Sequence, residues 1–82
     1  MMKRDFNVVV NAVLEVIPAD EKVLRSRIEH AKTQAAYQAP EVFAGWHMVT
    51  GILRQHLLPR LDAKVPWAVK VHEVWTGSPL SE

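Results

Sequence analysis

The stretch from Glu41 to Leu58 can form the largest apolar face in the sequence. At about 100° per residue, a helical wheel of this stretch places one apolar group in a narrow arc: Val42, Trp46, Val49, Leu53 and Leu57. Phe43 and Ile52 widen the arc on its two sides. A helix with so wide an apolar face has to be covered by other elements. The rest of the chain is therefore expected to fold around this helix.

The length of the chain, 82 residues, allows one domain, which we assign to residues 1–82 with a flexible tail at residues 77–82. The sequence has no cysteine, so disulfides and thiolate metal sites are excluded. The formal net charge is only +1, which gives no sign of a polyanionic partner. No stretch approaches the roughly 18 apolar residues of a membrane span, and we expect a cytoplasmic protein.

Another helix is predicted upstream of the helix over Glu41 to Leu58. The segment Pro18-Ala-Asp20-Glu21 opens it, because negative charge suits the start of a helix. Its apolar stripe has helical spacing and consists of Leu24, Ile28, Ala31 and Ala35. Ala39-Pro40 ends it, and so short a break before Glu41 predicts an antiparallel helical hairpin. Pro59 is expected to end the helix that begins at Glu41, which is the downstream helix of the hairpin.

Both ends of the sequence show the alternation that is typical of strands. From Phe6 to Ile17 one face is wholly apolar and rich in β-branched residues: Phe6, Val8, Val10, Ala12, Leu14 and Val16. From Val65 to Thr76 one face holds Val65, Trp67, Val69, Val71, Glu73 and Trp75. Each segment is therefore predicted to be a strand.

The order strand, helix, helix, strand predicts a two-layer α+β domain, β-α-α-β. The helical hairpin would cover one face of a small antiparallel sheet made of the terminal strands. A two-stranded sheet is only marginally stable by itself, and both of its edges are unpaired. A homodimer that extends the sheet by strand pairing is therefore expected.

Residues that could carry catalysis or bind a metal do not form a recognisable pattern. Of the four histidines, His47 and His56 lie about 180° apart on one helix and cannot share a metal. His56, at the edge of the apolar arc, is expected to be a partly buried, hydrogen-bonded residue. Gly45 and Gly51 match no phosphate-binding loop and suit close packing or a bend within a helix. We predict no enzyme, no cofactor and no metal site.

A basic surface is the alternative source of function. Its candidate residues lie on the two helices of the hairpin and just after them: Arg25, Arg27, Lys32, Arg54 and Arg60. Such residues could bind phosphates, with Trp67 or Trp75 stacking on bases. Acidic residues are interspersed among them, which is more typical of a solvated helix face. A nucleic-acid-binding regulator is therefore the second hypothesis.

The preferred hypothesis is a non-enzymatic protein–protein interaction module. Its candidate surface combines the apolar outer face of the first strand with the end of the last strand: Val9, Val13, Val74 and Trp75. Trp75 could equally cap the core. Small domains without a chemical signature often act as adaptors, regulators or inhibitors, including accessory proteins of phages and mobile elements. A third hypothesis is an enzyme or ligand carrier whose site forms at a dimer interface.

Overall fold

The computed structural model describes residues 5–37 and 42–77. This part of the chain forms four helices and contains no strand. They are α1 (Phe6–Val16), α2 (Lys22–Tyr37), α3 (Val42–Asp62) and α4 (Pro66–Thr76). The predicted α+β class is therefore wrong, and so is the predicted sheet. The expected dimer by strand pairing loses its structural basis, because both segments that were to pair are helices. Of the predicted tail, only Gly77 belongs to the described residues.

The first segment is a helix because its apolar residues also satisfy a helical repeat. Its buried side chains follow the spacing i, i+3, i+4 and i+7: Val10, Val13, Leu14 and Ile17. Val8, which the strand pattern assigned to the core face, is 65% exposed. The Asp5 carboxylate caps the helix by accepting a hydrogen bond of 3.2 Å from the Val8 backbone N–H.

The last segment is a helix for the same reason. Its buried residues, Ala68, Val71 and Trp75, follow i, i+3 and i+7. Pro66 stands in the first turn, where the missing N–H costs no intrahelical hydrogen bond. Gly77 ends the helix with φ 76°, in the left-handed region that favours glycine.

The predicted helical hairpin is confirmed by α2 and α3, which pack antiparallel along their length. The predicted stripe of α2 is buried at Leu24, Ile28 and Ala31. On α3 the buried residues are Val49, Leu53 and Leu57, while Trp46 and Ile52 are half-buried. The side chains of Val42 and Phe43, and the break at residues 38–41, lie outside the described part.

Pro59 does not end α3, which continues to Asp62. A proline inside a helix removes one backbone hydrogen bond. In the same turn the Arg60 guanidinium donates a hydrogen bond of 2.7 Å to the His56 carbonyl. The helix ends instead where Lys64 takes the left-handed conformation with φ 55°, and Val65 N–H donates to the Arg60 carbonyl.

The four helices form a flat molecule with extents of 37 × 33 × 19 Å. The shortest extent corresponds to about two helix diameters. α2 packs against α3, and α1 packs against α4 and α2. The shared core lies between the α2–α3 pair and the α1–α4 pair. The contact between α3 and α4 is less extensive than that between α2 and α3. This leaves a groove between the last two helices.

Candidate functional site

The groove between α3 and α4 is a concavity whose surface is largely apolar. It has a volume of about 220 Å³. The α3 wall consists of Thr50, Leu53, Arg54, Leu57, Leu58 and Leu61, and the α4 wall of His72, Trp75 and Thr76. The α3 residues follow the spacing i, i+3, i+4, i+7, i+8 and i+11, so they form one continuous helix face. Four of these nine lining residues are leucines.

Leu58 is the outstanding residue of this groove because it is 54% exposed. Leu61, one turn further on, is half-buried, and Arg54, one turn before Leu58, is exposed. Asp62 is exposed one turn after Leu58. The side chains of Arg54 and Asp62 form no hydrogen bond or ion pair with the described residues. We call Arg54, Leu58, Leu61 and Asp62 the α3 face.

The α4 wall of the groove is held in place by an aromatic cluster. Trp75 packs against Trp46 with ring centroids 4.7 Å apart and against Phe6 at 6.4 Å. Its indole N–H donates a hydrogen bond of 2.9 Å to Thr50 Oγ1 on the opposite wall. The Nδ1 atom of His72 is buried and has no hydrogen-bond partner among the described residues. Ring packing and one hydrogen bond across the groove therefore fix the position of Trp75 in its α4 wall.

The four residues predicted to form a protein-interaction surface do not lie on one exposed face. Val13 is completely buried, and Trp75 is only 8% exposed. Val9 and Val74 are half-buried and pack against the core. The outer sheet face that motivated this group is absent, because α1 is a helix. Trp75 instead caps the core, which is the alternative expectation for this residue.

Four of the five predicted basic residues already donate hydrogen bonds within the chain. Arg25 Nη1 donates to the carbonyls of Leu14 and Ile17, at 2.6 and 2.9 Å, and so caps the end of α1. Lys32 Nζ donates to Asn11 Oδ1 at 2.8 Å. Arg27 and Arg60 belong to the polar cluster described next. Arg54 stands apart on the rim of the groove.

The polar cluster connects the start of α2 to the end of α3. Arg60 forms an ion pair of 3.1 Å with Glu21, and its guanidinium lies 5.5 Å from the centroid of the Trp67 ring. Arg27 Nη1 lies 2.9 Å from Gln55 Oε1 and 3.0 Å from His56 Nε2. Burial, and then the charges of Arg27 and Arg60, lower the pKa of His56, while Glu21 opposes them. These residues act on one another and hold the hairpin together.

In residues 5–37 and 42–77, no group of three histidine, aspartate or glutamate side chains is placed to hold a metal ion. His56 is half-buried and hydrogen-bonded, as expected, and His30 and His47 are exposed. The absence of an enzyme or cofactor remains a prediction.

Comparison of the chain with protein-family models, with curated proteins and with solved structures gives no match. Within the described ranges, no helix has the length and apolarity that crossing a bilayer requires. Sequence reasoning missed Leu58 and Leu61 as site residues. The signal was present, since Leu58 is a large apolar residue outside the arc that faces the core.

Proposed function

We propose that this protein is a non-enzymatic protein-binding module whose α3–α4 groove accepts a helix of another protein molecule. The observation that carries the proposal is Leu58, a leucine that is 54% exposed at the lip of an apolar groove. Covering such a side chain gains about 25 cal/mol for each Å² of apolar surface removed from water. Grooves between helices commonly bind the apolar side of an amphipathic helix.

The chemistry of the groove defines the kind of helix that would bind. The leucines require apolar side chains spaced i, i+3 or i+4 along the partner. The exposed guanidinium of Arg54 on the rim favours an acidic residue beside them. The partner expected here is therefore an amphipathic helix with a leucine-like ridge and a carboxylate on its flank.

The nucleic-acid alternative receives no comparable support. Phosphate binding needs several cations that are free to approach one backbone. Arg25, Arg27, Lys32 and Arg60 instead donate to groups within the chain. Losing those hydrogen bonds would oppose any binding of phosphates through the same guanidinium and ammonium groups.

The proposal includes a cytoplasmic location, where a partner helix would be met. It is tested by affinity purification of the tagged protein from its own cells, with and without nuclease. The matched variants are Leu58→Asp, on the α3 face, and Val23→Asp, which adds the same charge at a 67% exposed valine of α2. Circular dichroism checks that both variants fold.

We expect a stoichiometric protein that survives nuclease, is retained by Val23→Asp and is lost with Leu58→Asp. Recovery that is equal in both variants would show that binding does not use the groove. Recovery that disappears on nuclease treatment would favour the nucleic-acid alternative.

A further inference from the structure

The α3 face is complementary to itself. Arg54 lies four residues before Leu58, and Asp62 lies four residues after it. At 1.5 Å per residue, the two charges stand about 6 Å on either side of Leu58 along the helix axis. A second α3 in antiparallel orientation, with a two-fold axis at Leu58, would oppose residue i to residue 116 − i. Leu58 would then meet the second Leu58, and each Arg54 would meet the Asp62 of the other chain.

From this symmetry we propose that the helix bound at the α3 face is α3 of a second copy of this chain. The inference rests on the proposed function and names the occupant of the same site. Such a helix has the required chemistry, because it offers a leucine beside a carboxylate. The contact is isologous, as in most soluble homodimers, and closes after two copies.

Helix geometry permits this arrangement. Arg54, Leu58 and Asp62 stand one turn apart on one face of α3, so a second α3 in antiparallel orientation can present the same three residues to them. Because α3 ends at Asp62, residues 54–62 of the two copies lie opposite one another in this arrangement.

The size of the contact sets the conditions of the test. A single pair of helices buries less than the roughly 1,600 Å² of a standard protein interface. The dimer is therefore expected to dissociate in the micromolar range or above. Sedimentation equilibrium from about 1 µM to about 1 mM covers this range. Arg54→Glu, Asp62→Arg, their combination, Leu58→Asp and the control Val23→Asp are compared with the native chain.

We expect the native chain and Val23→Asp to dimerise alike. Leu58→Asp should weaken dimerisation at least about tenfold, because it places two carboxylates together at the centre of the contact. Arg54→Glu and Asp62→Arg should each weaken it about fivefold, and the double variant, which restores opposite charges, should recover the native value. Recovery of dimerisation in the double variant is specific to self-pairing. A different partner protein would keep its original charges, so the double variant would not restore opposite charges across that contact.

A native chain that stays monomeric up to about 1 mM overturns the proposal, and so does a dimer that Leu58→Asp and Arg54→Glu leave unchanged. The affinity purification separates this failure from failure of the proposed function. If the chain is monomeric but still recovers a protein in a Leu58-dependent manner, only self-pairing is wrong. If it is monomeric and recovers no Leu58-dependent protein, both proposals are wrong.

Discussion

The indole N–H of Trp75 donates a hydrogen bond of 2.9 Å to Thr50 Oγ1 and thereby joins α4 to α3 across one end of the groove. Trp75 is only 8% exposed, and its ring packs against the rings of Trp46 and Phe6. A buried tryptophan in such a cluster supports the fold, so its removal would disturb the groove along with any bound partner. Leu58, by contrast, can be changed with little loss of packing.

Thr50→Val should lower the free energy of unfolding by about 1–2 kcal/mol, because the Trp75 N–H would lose its acceptor while the side-chain shape is kept. Thr50→Ser keeps a hydroxyl and should cost less. Urea unfolding followed by circular dichroism measures both. Equal stability of Thr50→Val and the native chain would mean that the hydrogen bond contributes nothing.

The two glycines of α3 should respond oppositely to alanine. At Gly45 an added Cβ would lie 2.8 Å from Phe6 Cζ and 3.0 Å from Ala35 Cβ, so Gly45→Ala should destabilise the fold by about 1–3 kcal/mol. At Gly51 the added methyl meets no atom of the described residues within 4 Å, so Gly51→Ala should stabilise the fold by about 0.5–1 kcal/mol. Thermal unfolding of the two variants tests this. The same sign for both would contradict the positions of α1 and α2 around α3.

Arg25 is expected to be a structural residue and not a ligand-binding one. Arg25→Met keeps most of the apolar stem but leaves the Leu14 and Ile17 carbonyls without their donor. The free energy of unfolding should fall by about 1–3 kcal/mol. Arg54→Met, a matched change at an exposed arginine, should leave it within about 0.5 kcal/mol. If the two variants were equally stable, the cap on α1 would be energetically irrelevant.

Protonation of His56 should lower the stability of the fold as the solution becomes more acidic. Its pKa in the folded chain is lowered from the ordinary value of 6.5, so the unfolded chain takes up this proton at higher pH than the folded chain does. The free energy of unfolding therefore decreases as the pH falls below about 6.5, and this decrease ends below the folded pKa. His56→Gln keeps an acceptor for Arg27 without the titration.

Denaturant unfolding at about pH 7.5 and about pH 5.5 should show a smaller loss of stability in His56→Gln than in the native chain. Comparing the two proteins isolates the contribution of residue 56, because every other residue is the same in both. An identical loss would exclude His56 as a source of the pH dependence.

Sequence reasoning located α2 and α3 because each has one apolar repeat and a proline near its start. For Leu24, Ile28 and Ala31, strand alternation offers no competing pattern. The first segment differs, since the consecutive valines Val8, Val9 and Val10 satisfy both periods. Their β-branching favoured a strand, and only packing against α2 and α4 selects the helix. That information lies in the tertiary structure.

The candidate site was less accessible to sequence reasoning than the hairpin. How much of Leu58 remains exposed depends on how closely α4 packs against α3, which a helical wheel of α3 cannot show. The engagement of Arg25 likewise depends on where α1 ends. The strand pattern places Val13 on an outer face and Trp75 at the end of the last strand, so it predicts a surface position for both. In the helices both residues lie in the core.

The central claim, that the α3 face is covered by another protein molecule, is tested most directly by photo-crosslinking in cells. A photoreactive amino acid replaces Leu58 in one variant and Val23 in a second, and both are irradiated in living cells. We predict a nuclease-resistant adduct from position 58 and none from position 23. An adduct of twice the chain's 9.3 kDa would identify the second copy. No protein adduct at position 58, or equal adducts at both positions, would contradict the claim.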